Sequence, residues 1–115
     1  MAVADDLDTI LRLIARIERT VGDETAESFQ ASRDAIDAVA YRLGMIGEHC
    51  KRLPQDVRDR HPDVPWRAMV GLRNIVAHSY DTVSAPIVWR TAVGELGPVR
   101  EMAEVESRRL REGAD

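Results

Sequence analysis

The chain has one cysteine, few aromatic residues and no long apolar run, and each shortage excludes something. A lone thiol cannot close a disulfide within the chain, so Cys50 reads as a small buried hydrophobe and a reducing cytoplasm is the expected compartment. Residues Met1 to Asp6 carry acids where a secretion signal needs basic residues, and no apolar segment follows, so no export signal is expected. Nothing approaches the ~20 consecutive apolar residues that cross a bilayer, so a soluble protein with no membrane partner is expected. Period-two alternation is absent and aromatic residues make up 4% of the chain, too few for a typical sheet protein. Glu48-His49-Cys50 has metal-binding residue types, but consecutive helical positions point in different directions. No metal or cofactor is expected.

What is present is helical periodicity. With 115 residues, one domain covering 1–115 is expected. Leu7, Ile10, Leu11, Ile14, Ile17 and Val21 form one apolar stripe behind the capping candidates Asp5 and Asp6. A polar stretch through Gln30 separates it from a second stripe of Ile36, Val39, Ala40, Leu43, Ile46 and Cys50, which ends before Pro54. Pro54 can open a short helical turn through Arg60. Asp63-Val64-Pro65-Trp66 pairs a capping acid with a first-turn proline ahead of Trp66, Met69, Val70 and Ile75. Ser84 is a cap for a further helix through Ile87, Val88, Trp89 and Val93, and Gly97-Pro98 interrupts before a last helix on Val99, Met102, Ala103 and Leu110. The charged tail from Arg108 is expected to fray. The fold class is all-α, an antiparallel bundle of four to five helices.

Three glycines sit inside predicted helices, where each costs about 1 kcal/mol relative to alanine. Gly44 and Gly47 share a face, which suits close approach of another backbone, within the subunit or across a dimer; tolerated imperfection is the alternative. Gly71 carries the same cost.

The net charge of −4 argues against coating nucleic acid through a general basic surface. From Arg42 to Arg90, eight Lys or Arg face five acids, a net +3, while the rest of the chain carries −7. That distribution suits gripping a few phosphates locally.

The chemistry is concentrated in Pro65 to Tyr80, which contains Arg-x-x-x-x-His-x-Tyr as Arg73, His78 and Tyr80. A guanidinium offers a planar fork of donors to a phosphate, and an imidazole moves protons near neutral pH. Together they suit metal-free cleavage of RNA, whose 2′-OH supplies the nucleophile. On an ideal helix residues five apart lie ~140° from each other. The helix must therefore loosen near Ala77, Arg73 must reach around, or a second subunit must complete the cleft. Taken alone, an Arg and a His at this spacing also fit a surface charge and a helix C-cap.

The run Pro-Trp-Arg…Gly-x-Arg-Asn…His-x-Tyr, with Val83 and Val88-Trp89 after it and Ile46-Gly47-Glu48 and Lys51-Arg52-Leu53-Pro54 before it, resembles the HepT family of HEPN toxins. The likeness runs from Ser32 to Met102. Ser84-Ala85-Pro86 departs from it, where relatives commonly carry an acidic residue after the valine. The resemblance implies a HEPN-type bundle and a dimeric, metal-independent endoribonuclease, the toxin of a type VII-like toxin–antitoxin pair. Arg73 and His78 are then catalytic, and Asn74 either positions the phosphate or His78 or merely orders the helix. The implied partners are RNA and an MNT-type nucleotidyltransferase antitoxin, which would transfer AMP onto Tyr80. A buried Tyr80 ring with its hydroxyl on a helix end is the alternative. Arg67, Arg42, Lys51, Arg52 and Arg90 either line the approach for RNA or are ordinary surface charge. Glu48 either orients Arg73 or is solvated. Trp66 and Trp89 read as core or interface anchors before base-stacking platforms. A different class of function, a non-catalytic HEPN module that binds a nucleotidyltransferase, is distinguished by an absence of cleavage. A purely structural oligomerising bundle would show neither cleavage nor adduct.

Overall fold

A computed structural model describes residues 2–79 and 82–113. Among them there is no strand. Four longer helices, α1 (Ala2–Val21), α3 (Arg33–Arg52), α6 (Ala85–Gly94) and α7 (Gly97–Gly113), are joined by the short α2 (Ala26–Gln30), α4 (Gln55–Arg60) and α5 (Trp66–Gly71) and a π-helical turn at Ile75–Ser79. The expected all-α bundle is the observed one. No helix among the described residues is long and apolar enough to cross a membrane.

The core lies between α1, α3 and α7. Leu7, Ile10, Ile17, Val39, Leu43, Ile46, Val99 and Met102 are fully buried, which is the burial that the 3.6-residue stripes call for. The helices run antiparallel. His49, near the end of α3, bonds Asp6 at the start of α1, and Arg42 bonds Thr20 at its end, Nη1 to Oγ1 at 2.8 Å. Arg100 at the start of α7 pairs with Glu18 near the end of α1.

Several local expectations change. Asp6 is not a cap: α1 begins at Ala2, and Asp6 falls inside it on the buried face. There its carboxylate accepts from His49 Nδ1 at 2.7 Å, with Arg52 Nη1 at 3.6 Å. The polar stretch before Gln30 holds a helix. Thr25 and Ser28 form a reciprocal capping box that starts α2 and drops Phe29 into the core, 5.3 Å from the Trp89 ring. Asp63 does not cap α5, whose N-cap is Pro65 with no side-chain bond. Pro54 is likewise the N-cap of α4 and not a first-turn residue. Ser84 caps α6 as expected, accepting from Ile87 N. α7 stays helical from Arg108 to Gly113, so the charged tail is ordered further than its composition suggests. His61, just after α4, donates to the buried Glu106 at 2.6 Å beside Arg60, also at 2.6 Å.

Candidate active site

The glycines explain how α5 reaches α3. A Cβ on Gly47 would stand 2.6 Å from the Met69 carbonyl oxygen and 2.9 Å from the Arg73 amide nitrogen, and one on Gly44 would collide with a Val76 methyl. Both positions therefore need hydrogen as a side chain for α5 and its extension to lie directly on α3. Their cost in helix propensity is offset by packing within the chain.

Helical backbone continues from α5 through Arg73 and Asn74 and then widens into the π turn that contains His78. Bonding of the i→i+5 type adds residues to each turn, so positions five apart come closer to one face than in an α-helix. Of the three ways the pair could converge, a loosened helix near Ala77 is present, and β-branched Ile75 and Val76, weak helix formers, sit within it. Arg73 and His78 line the same groove, about 520 Å³, between α3 and this segment. Asn74, Glu48 and Arg52 line it too.

Arg73 is held from one side. Its Nε donates to Glu48 Oε2 at 3.0 Å, and among the described residues neither terminal nitrogen makes a hydrogen bond. The terminal nitrogens are left open to an incoming acceptor while Nε is tethered. The Arg73 hydrogen bond also holds the Glu48 carboxyl below its ordinary value, so it stays an ionised acceptor. The other Glu48 oxygen lies 3.8 Å from Arg52 Nη2, and Arg52 reaches back to Asp6. His78 and Asn74 are exposed in the groove.

Other expected residues are placed elsewhere. Arg42 turns toward α1, bonding Thr20 and the Arg16 carbonyl. Lys51 and Arg90 are exposed but do not line the groove. Arg67 lines a second cavity, and Trp66 is a partly buried anchor whose indole N–H donates to the His61 carbonyl at 2.9 Å. Tyr80 lies outside the described residues. Cys50 is fully buried, and burial pushes its thiol up to about 12, which makes it neither nucleophile nor ligand. No group of metal-ligating side chains occurs among the described residues. Sequence reasoning missed Met45, Val76 and Ala77 as groove walls, and it missed Asp6 as the anchor of Arg52. The signal for Asp6 was available: it sits next to Leu7 and four before Ile10, on the buried stripe, where a carboxylate needs a partner.

A family model described as Ribonuclease HepT-like matches residues 10–106. "Probable ribonuclease HepT" of Thermococcus cleftensis is 33% identical over 87 residues, 76% of this chain and 79% of that protein. "Putative RNase TTE0752" of Caldanaerobacter subterraneus subsp. tengcongensis is 35% identical over 80 residues, 70% of each chain. "Gamma-glutamylcyclotransferase and putative RNase MJ0434" of Methanocaldococcus jannaschii is 30% identical over 95 residues, 83% of this chain and 43% of that longer relative. No solved structure matches the chain. A match covering the core helices, the glycine contact and the whole Arg73–His78 segment means that the chain belongs to the HepT-like ribonuclease family.

Proposed function

We propose that the chain is a metal-independent endoribonuclease, the toxin of a type VII-like toxin–antitoxin pair, in which Arg73 and His78 act on one RNA phosphodiester. The observation that carries this reading is that both side chains line a single groove. The Arg73 terminal nitrogens grip the non-bridging oxygens and stabilise the charge that grows there. The His78 imidazole accepts the 2′-OH proton, O2′ attacks phosphorus, and the bond to O5′ breaks as that oxygen takes up a proton. The products are a 2′,3′-cyclic phosphate and a 5′-hydroxyl. Asn74 positions the phosphate or the imidazole from the same groove. A second copy of the chain, related by a two-fold axis, contributes the same pair to a shared cleft.

The antitoxin in this reading is an MNT-type nucleotidyltransferase that uses ATP. The Tyr80 hydroxyl, losing its proton, attacks the α-phosphorus and displaces pyrophosphate. The AMP left on Tyr80, two residues after His78 in the sequence, adds a negative charge that competes with the RNA phosphate for Arg73.

The test is cleavage of cellular RNA by purified protein in EDTA. Cyclic-phosphate ends are expected, with activity lost by about 100-fold or more in His78→Ala and Arg73→Ala. A strict metal requirement, or full activity in both variants, would overturn the mechanism. An inert wild type that still binds the nucleotidyltransferase would favour the binding-module reading. Mass spectrometry after mixing with that enzyme and ATP checks for an AMP adduct absent from Tyr80→Phe.

A further inference from the structure

The second cavity, about 590 Å³, adjoins the groove along one helix face. Arg67 and Val70 line the cavity, while Asn74 and Ala77 line the groove. Val70 and Asn74 are four apart, so they are direct neighbours on the helix surface. At about 100° per residue, Arg67, Gly71 and Asn74 fall within roughly 60° of one another, with about 10 Å of rise between the first and last. All three are exposed.

Gly71 is the unexplained glycine. Unlike Gly44 and Gly47, it has nothing within 4 Å of where a Cβ would stand, so no packing contact in the chain offsets its cost. It forms a flat floor between the two depressions, where another backbone can pass closely. At the far end, the Trp66 ring, Pro62 and Val70 give the cavity apolar walls. Trp66 is fixed by its bond to His61, and Arg58 lies 5.8 Å from the ring centroid, pinned by its own bonds to the Cys50 and Lys51 carbonyls. Arg67 makes no ion pair among the described residues. Asp59, which accepts from Gln55 at 2.9 Å, is the one carboxylate on this cavity and offers an acceptor to a base amino group.

We infer that the exposed face of α5 is a track for single-stranded RNA: the nucleotide next to the scissile phosphate crosses Gly71, pairs its phosphate with Arg67 and lodges its base in the cavity walled by Trp66 and Pro62. This subsite rests on the ribonuclease reading for its register with Arg73 and His78. A pocket with a rigid aromatic wall, a guanidinium over it and the Asp59 acceptor suits a base that carries an amino group, and Arg67 at the rim, without an ion pair among the described residues, suits one phosphate.

The test uses full-length protein carrying His78→Ala, so that RNA stays intact, and reads fluorescence anisotropy with a labelled RNA hexamer and a dinucleotide across a salt series. Adding Arg67→Ala should weaken hexamer binding about tenfold and reduce the slope of log Kd against log salt by about 0.7, the value for one phosphate on a single strand. Adding Gly71→Leu, which has room to fold, should weaken the hexamer to a similar degree with the salt slope unchanged. A dinucleotide, which has the scissile phosphate but not the next one, should be indifferent to Arg67→Ala and weakened by Gly71→Leu. Thermal melts check that each variant is folded. Hexamer affinity unchanged in folded Arg67→Ala and Gly71→Leu overturns the track, even if Arg73 and His78 prove catalytic in parallel assays. Loss of affinity in both, in a protein that cleaves no RNA, upholds the track and removes the nuclease reading instead. If His78→Ala protein binds no RNA at all, the track is overturned, and wild-type cleavage alone then decides the nuclease reading.

Discussion

Arg73 is tethered through Nε, and that choice of atom decides what the residue can do. The tether to Glu48 restrains the stem without using the fork that a phosphate needs. Glu48→Ala should therefore lower kcat by about 10- to 100-fold, because a guanidinium free to swing loses its productive geometry. Glu48→Gln keeps an oxygen acceptor and should recover most of that loss; equal damage in both variants would count against positioning. A second prediction concerns Glu106, buried at 2% exposure, where the Arg60 hydrogen bond and then His61 hold the carboxyl below its ordinary value. A depressed carboxyl pKa contributes stability in full above the unfolded value of ~4.3 and loses it as pH falls through the folded value. Glu106→Gln should melt below wild type at pH 7, with the gap closing from about pH 4 downward. At this scale the sequence was informative about Arg73 and His78, which carry a recognisable motif. It was silent about Glu106 and nearly so about Asp6, because their partners lie 46 and 43 residues away.

At the scale of elements, the site depends on how closely α5 lies on α3. Gly47→Ala would drive a methyl into the Met69 carbonyl and the Arg73 amide, both backbone atoms that cannot turn aside. The gain in helix propensity of about 1 kcal/mol is outweighed, and a net destabilisation of about 1–3 kcal/mol by chemical denaturation is expected. Activity should fall further than stability alone explains, since the clash falls on Arg73, whose guanidinium is the proposed phosphate clamp. The pair of glycines was legible in the sequence as a request for close packing. The long helices were legible too, because their apolar stripes run for several turns. The short α2 was not: five residues hold too little periodicity to register, and only the Thr25/Ser28 box and the single Phe29 marked it. The π turn had no local signal, since propensity scales separate α from coil and carry no term for a wider turn; a loosened helix was only one of three ways the motif could converge.

At the scale of the molecule, two faces of α3 do different work. One meets α1 in the core, and the other forms a wall of the groove with Glu48 and Arg52. A string of polar contacts joins them, from His49 through Asp6 and Arg52 to Glu48 and Arg73. The acidic outer chain and mildly basic middle, read first from composition, match a molecule whose groove collects Arg52, Arg73 and His78 while most surface charge repels RNA. Composition could not say which basic residues gather there, because Arg42 and Arg52 look alike in one dimension and differ only in which way α3 turns them.

Cys50 lies on that same helix with no exposed surface and a thiol too weakly acidic to react at neutral pH. Alkylation at pH 8 should therefore be undetectable in the closed bundle and proceed only at the rate at which α3 parts from its neighbours. Rapid labelling of folded protein would contradict the packing. Otherwise the chain carries its own clock, one sulfur atom whose chemistry counts the moments when the bundle comes apart.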